Sequence, residues 1–503
     1  MKLDRVLGTL VFLMITLGVY YIFADFALLK LNTADASTYL NIAENIVSHK
    51  GFVVSYNLYQ FFTAHYYPIW PYMQSIYPLL CSIVFMFHGG IEQVIRLNIF
   101  ILGLNTALIF YIIQTVVPSR LNVLFLVCMV FSFNFYISAF YAWTEQFHLL
   151  LFLISFIIFL KYSDRPRGLA AVGLLNGILF LVRVAQIYNI MAYLLVILIA
   201  EVNIRQRTKN VLIFMGGFLA IVGPYQLFNL AVYHAFYPQY IKPAADYTMA
   251  RISKLSTYKP GYPGLYNPVG FGGNREYFYQ HLSDFFVRIN LFLIPVLAYV
   301  SVPKPKNKGQ FFILNCMLQS LFIILGYCYS FNWNSTIDSL RYSLIPFVLI
   351  FLAGWFCFYE LFFASEIKWK KLLLVFLLFS FSFYSVDRYL YTRQGFMSQP
   401  RTKIPYYIDL FEVYRWIDKN LPENILVASN EDQEPYFMHR PFISTPPYKS
   451  YNCNNLKIFN RMYSPDYFLL SSSLSDACFS QIPSVKIFSN KTFRLLEVKK
   501  KKK

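Results

Sequence analysis

Two carboxylates and four guanidiniums stand where an otherwise apolar chain has little reason to keep charge. Asp35 follows the first long apolar run and Glu145 the third, while Arg96, Arg183, Arg288 and Arg341 lie at the ends of later runs. Ionised groups close to hydrocarbon are expensive to keep, so their presence needs a chemical reason. A carboxylate in such a place can take a proton, orient a hydroxyl or amide, or hold a hard cation. Guanidiniums at the same depth recognise an anion, because their planar N–H fork matches phosphate and carboxylate oxygens.

The elements that must carry these residues follow from composition. The chain has 503 residues, 57% hydrophobic and 20% aromatic, with only 14% charged. With a mean hydropathy of +0.46, it lies outside the range of soluble globular proteins and reads as an integral membrane protein. The formal net charge of +19 does not point to nucleic acid. Its Lys and Arg residues sit in short loops between apolar runs and in the Lys499–Lys503 tail, not on one amphipathic face.

Crossing a hydrocarbon core of about 30 Å takes roughly 20 residues in a helix. Runs of that length predict about eleven spans, at 6–24, 93–116, 119–140, 144–160, 168–184, 187–201, 210–232, 286–302, 310–330, 340–363 and 369–386. Residues 77–88 are apolar but too short to span and predict an interfacial helix. The first run starts like a signal peptide, but no small-residue cleavage site follows Phe23, which predicts a retained anchor. Lys2, Arg5, Arg120, Lys161, Arg165, Arg167, Arg205, Arg207, Lys209, Lys304, Lys306, Lys308, Lys368, Lys370 and Lys371 all fall on one side of such a topology. By the positive-inside rule that side is cytoplasmic, with the N-terminus.

The long segments 25–92 and 233–285 and the tail from 387 then lie on the outer face, where function is to be sought. Asn32-Thr33-Ala34-Asp35 precedes helical spacing of Tyr39, Leu40, Ile42, Ala43, Ile46 and Val47, which predicts an amphipathic surface helix with Asp35 near its N-terminus. The helix dipole favours a carboxylate there by about 0.3–1 kcal/mol. Segment 233–285 reads as a Tyr-, Pro- and Gly-rich loop carrying Arg251, Lys254, Lys259 and Arg275. From 387 the chain turns polar; Tyr414–Asn420 predicts a helix, and 424–428, 467–471, 486–489 and 492–498 predict strands of a small α/β domain. Of seven cysteines, Cys453 and Cys478 fall in this domain, and an oxidising compartment would permit a disulfide between them. The division is thus 1–386 for the membrane domain and 387–503 for the outer domain.

Acids, arginines and lateral access from lipid together fit a lipid-linked phosphate sugar, whose phosphate is both anchor and leaving group. Transfer then needs a base for the acceptor proton and cations for the departing phosphate, but no general acid. Simpler roles exist for each residue. Asp35 could cap its helix and Glu145 could answer the helix dipole. Arg183 and Arg341 could snorkel to the interface, and Arg96 and Arg288 could be structural. His65 could be a loop histidine bonded to a carbonyl, and His49, His148, His234 and His281 show no metal-ligand spacing with one another, so no protein-built zinc site is expected.

Read along its length, the chain resembles the GT-C superfamily of membrane glycosyltransferases, which includes protein O-mannosyltransferases and lipid A aminoarabinose transferases. The resemblance rests on Asp35-Ala36-Ser37-Thr38-Tyr39-Leu40 with Lys50-Gly51-Phe52, on Tyr77-Pro78-Leu79-Leu80 and on Arg96-Leu97-Asn98. It continues in Thr144-Glu145-Gln146, Gly177 to Arg183, Arg341-Tyr342-Ser343-Leu344-Ile345-Pro346 and Tyr414-Arg415-Trp416-Ile417-Asp418-Lys419-Asn420-Leu421-Pro422. The order of these short motifs carries the weight. It implies an α-helical multi-spanning fold with an extracytoplasmic C-terminal domain, and inverting transfer of a sugar from a polyprenyl-phosphate donor on the outer face. Asp35 would be the base and Glu145 the second acid; Arg183, Arg341, His65, Arg251 and Lys254 would meet the donor phosphate. The chain departs from the pattern at Asp35, a single acid where many members have a pair, and at His65-Tyr66, where relatives often have a Lys before paired prolines. No cofactor is required, although a divalent cation (Mg or Mn) at Asp35 and Glu145 is compatible with the donor set. The implied acceptor is a lipid, glycan or protein, and the C-terminal domain favours a bacterial inner membrane. A lipid-linked sugar flippase and a non-catalytic membrane scaffold are the alternatives; the absence of internal repeats counts against the first.

Overall fold

In the computed structural model the residues described are 34–52, 56–57, 76–119, 122–123, 135, 137–140, 142–183, 186–200, 203–233, 296, 308–330, 344–360, 409–429, 442–444, 456–457, 459–461, 464–471 and 479–499. The expected spans at 6–24 and 369–386, most of that at 119–140, nearly all of that at 286–302, and the loop 234–285 lie outside them, as do Cys453 and Cys478.

Nine helices run in chain order through the described part before the C-terminal region: α1 (Ala34–Val47), α2 (Ile76–Met86), α3 (Ile91–Val116), α4 (Glu145–Tyr162), α5 (Pro166–Val182), α6 (Ile187–Ala200), α7 (Ile204–Tyr233), α8 (Lys308–Ser330) and α9 (Leu344–Phe358). Among the described residues Ile91–Val116, Glu145–Tyr162 and Ile204–Phe228 are long and apolar enough to cross a membrane. Shorter apolar stretches are Ile76–Met86, Pro166–Val182, Ile187–Ile199, Gly309–Leu325 and Leu344–Phe358, in α2, α5, α6, α8 and α9. Pro166 opens α5, where a missing N–H costs nothing.

The bundle shares one apolar core in which Phe152, Phe156, Tyr193, Phe214, Phe312 and Trp355 are buried. Between α5 and α7 the backbones themselves touch. A Cβ at Gly173 would overlap the Phe214 carbonyl, and one at Gly217 would overlap the Ala170 carbonyl. Small residues at such a contact allow the close helix packing usual in membranes.

A helix over 409–420, α10, leads into a six-stranded sheet. Its strands are β1 (Tyr56–Asn57), β2 (Val427–Ser429), β3 (Phe442–Ser444), β4 (Tyr467–Ser471), β5 (Ser484–Ser489) and β6 (Phe493–Val498), in the order β1-β3-β2-β4-β6-β5. β1, β3, β2 and β4 pair in parallel, whereas β6 is antiparallel to both β4 and β5. β1 belongs to the first long loop, so that loop supplies an edge strand to the C-terminal sheet, with Tyr56 opposite Phe442.

The helix expected after Asp35 is α1, and its apolar residues are covered by protein. Ala36, Tyr39, Leu40 and Ala43 pack into the bundle core, while Ile42 packs with Leu410, Val413, Tyr414, Ile417 and Val427 of the C-terminal region. Two separate cores therefore meet on this helix. The helix also includes Asp35, so this residue lies within the helical segment and not in a flanking cap position.

Candidate active site

Glu145 is the first residue of α4, and its side chain is only 2% exposed. Three contacts fix this helix end. Asn98 of α3 donates to the Trp143 carbonyl at 3.3 Å and to the Tyr77 hydroxyl of α2 at 2.9 Å. Asn105, two turns along α3, donates to the Gln146 backbone carbonyl at 2.9 Å and to Gln146 Oε1 at 2.8 Å. The Gln146 amide in turn donates to the Phe135 carbonyl at 2.7 Å and to Ser138 Oγ at 2.9 Å. The carboxylate therefore sits at the positive end of a helix dipole, on a backbone with little freedom.

Arg183 closes α5 in an extended conformation (φ −151°, ψ 123°), its N–H donating to the Leu179 carbonyl. Its Nη1 donates to Glu145 Oε1 at 2.6 Å, with the arginine side chain 13% exposed. In a largely water-free setting each of these charges depends on the other, so removing one partner costs far more than breaking a surface ion pair. Arg183 thus makes a specific pair, not a snorkelling contact.

One turn below Glu145 on α4, His148 Nε2 lies 3.0 Å from Gln186 Oε1. Gln186 Oε1 also accepts from Asn189 Nδ2 at 2.6 Å, and Gln186 Nε2 donates to Asn176 Oδ1 at 2.7 Å. Asn176 Nδ2 donates to the Val172 carbonyl at 2.8 Å and to Ser155 Oγ at 3.0 Å. All of these side chains are buried, and sequence reasoning passed over them. The signal was present as Asn, Gln and His residues inside apolar runs, where side-chain amides need partners.

Asp35 is placed by α1, and its carboxylate lies outside the described atoms. Tyr39, one helical turn on, meets Tyr77 edge to face with centroids 5.2 Å apart, and Tyr77 bonds Asn98, which bonds the Trp143 carbonyl. The Asp35 helix and the Glu145 helix are therefore connected through two tyrosines and an asparagine. Arg341, His65, Arg251, Lys254 and Arg288 lie outside the described residues. Arg96 is half exposed and pairs with Glu92 along α3, a structural role. Among the described residues no three His, Cys, Asp or Glu side chains converge. A divalent cation at Glu145 would have to compete with the Arg183 guanidinium.

No protein-family model and no curated protein sequence matches the chain. Solved structures do. ArnT from Cupriavidus metallidurans bound to undecaprenyl phosphate superposes with a TM-score of 0.65 at 11% identity, covering 97% of each chain. The two chains share one fold over nearly their whole length. The apo form of the same ArnT superposes at 0.61 over 97% of each chain, also at 11% identity. The archaeal oligosaccharyltransferase AglB from Archaeoglobus fulgidus, in complex with an inhibitory peptide and a dolichol-phosphate, gives 0.50 at 10% identity over 91% of this chain and 69% of its own. The architecture of a helical bundle with a small C-terminal sheet is thus shared with ArnT over nearly the whole chain, at an identity that speaks for the fold alone.

Proposed function

We propose that this protein is an inverting glycosyltransferase that moves a sugar from a polyprenyl-phosphate donor to a lipid, glycan or protein acceptor on the extracytoplasmic face of a membrane. The observation that carries this reading is the buried Glu145–Arg183 pair at 2.6 Å, at the helix end joined through Tyr77 to the helix of Asp35, in a GT-C fold. Both solved relatives hold a polyprenyl-type phosphate in their complexes, undecaprenyl phosphate in ArnT and dolichol-phosphate in AglB.

In this reading Asp35 takes the proton of the acceptor hydroxyl or amine as that atom attacks the anomeric carbon. The bond from that carbon to the phosphate oxygen breaks, and the lipid phosphate leaves as an anion. Arg183 and Arg341 stabilise the developing negative charge, with His65, Arg251 and Lys254 as further phosphate contacts. Glu145 holds Arg183 in place and orients the acceptor. A bacterial inner membrane, with the N-terminus cytoplasmic and residues 387–503 outside, fits the basic loops.

The test is incubation of purified protein in nanodiscs with a panel of radiolabelled polyprenyl-phosphate sugars and candidate acceptors. Label leaving the lipid for one acceptor supports the transferase and names the donor. Binding without consumption of any donor would favour a lipid-linked sugar flippase.

A further inference from the structure

We infer that His148 and Gln186 are positioning residues that set Arg183 against the donor phosphate, an inference that rests on the proposed role of Arg183. Arg183 has left the helix that carries it, since its backbone is extended, so α5 alone does not orient it. Its carbonyl accepts the Gln186 N–H at 3.0 Å, which makes Gln186 the far anchor of the turn that holds Arg183. The Gln186 side chain is fully buried and tied to three helices at once: α4 through His148, α5 through Asn176 and α6 through Asn189.

The direction of these bonds can be read from one end. The Val172 carbonyl only accepts, so the Asn176 amide nitrogen must face it and Oδ1 must face Gln186. Gln186 then presents Nε2 to Asn176 and Oε1 to His148, and His148 must donate from Nε2. A proton on Nε2 of His148 is thus dictated three groups away. His148 is on the same face of α4 as Glu145, one turn deeper, so the α4-to-turn junction is cross-linked twice: Glu145 with Arg183 above, and His148 with Gln186 below. The lower bond fixes the distance that the upper one needs. What the ring supplies is one N–H donor at the reach of Nε2, and no acid–base chemistry.

A glutamine side chain places an N–H donor near that point, and an asparagine falls short of it. His148→Gln and His148→Asn are both polar, uncharged and similar in size, so folding alone would not separate them. Undecaprenyl phosphate binding is measured for the wild type and both variants in nanodiscs, with thermal unfolding of each as a control and donor KM and kcat where transfer is active. H148Q is expected to bind within about twofold of wild type, and H148N roughly five- to tenfold more weakly with the loss in KM, the size expected for one hydrogen bond. Equal binding by H148N and wild type, or equal loss in both variants, overturns the inference while the transferase reading stands. Wild-type protein that binds no undecaprenyl phosphate overturns that reading and this inference with it.

Discussion

A buried carboxylate and guanidinium stabilise each other only as a pair, and the consequences of removing either one differ from those of removing both. Arg183→Leu would strand the Glu145 carboxylate at 2% exposure, at a cost of about 3–5 kcal/mol. Glu145→Gln with Arg183→Leu should recover most of that stability and none of the transfer. Thermal unfolding in detergent beside a transfer assay checks both halves; full activity in the double variant would remove the pair from the mechanism. Because Arg183 already neutralises Glu145, transfer should survive EDTA treatment. Activity lost on chelation and restored by Mg or Mn would instead place a cation at the carboxylates. Glu145 and Arg183 could be picked out from sequence because charges at the outer ends of apolar runs are few and each demands a reason. Their partnership could not, since it joins positions 38 residues apart on different helices. His148 was legible only as a histidine without metal spacing; its work lies in a hydrogen bond to an amide that no spacing rule anticipates.

Among the helices, α1 departs furthest from its sequence reading. Its 3.6-residue period is visible in the chain, but a period shows only that a face is covered and not by what. Here one face meets the bundle and Ile42 meets the C-terminal region, so the helix bearing Asp35 is clamped between two bodies. Ile42→Ala should destabilise by about 3 kcal/mol and lower transfer, with unfolding followed by tryptophan fluorescence. Unchanged stability would mean that the clamp is not tight. Similarly, Gly173→Leu forces a side chain into the Phe214 backbone and should cost about 2–3 kcal/mol, read by the same unfolding assay. Strands β4 and β6 were legible from their apolar runs and were expected within a residue or two of their places. β1 and β3, two and three residues long, are too short to show a period and are strands only because a neighbouring edge pairs with them.

At the scale of the whole molecule, the first long loop supplies an edge strand to the C-terminal sheet. On the topology expected from the basic loops, the Asp35 helix and the sheet would share the outer face of the membrane. In cells expressing a variant with its other cysteines replaced, Lys486→Cys should react with a membrane-impermeant maleimide without permeabilisation, and Arg167→Cys only after it. The reverse pattern would invert the topology. A helical, apolar bundle followed by a small C-terminal sheet was legible because hydropathy and composition are properties of sequence alone; the covering of α1 and the joining of loop to sheet are properties of contact. The proposed role of Asp35, at the start of α1, is to take the acceptor proton during sugar transfer from a lipid phosphate. Its most direct measurement is transfer of labelled sugar by purified wild-type protein and by Asp35→Asn in the same nanodiscs, with undecaprenyl phosphate binding recorded for both. Wild type is expected to turn over, and the variant to lose at least about a hundredfold in kcat while retaining lipid binding. Turnover by Asp35→Asn at the wild-type rate would contradict it.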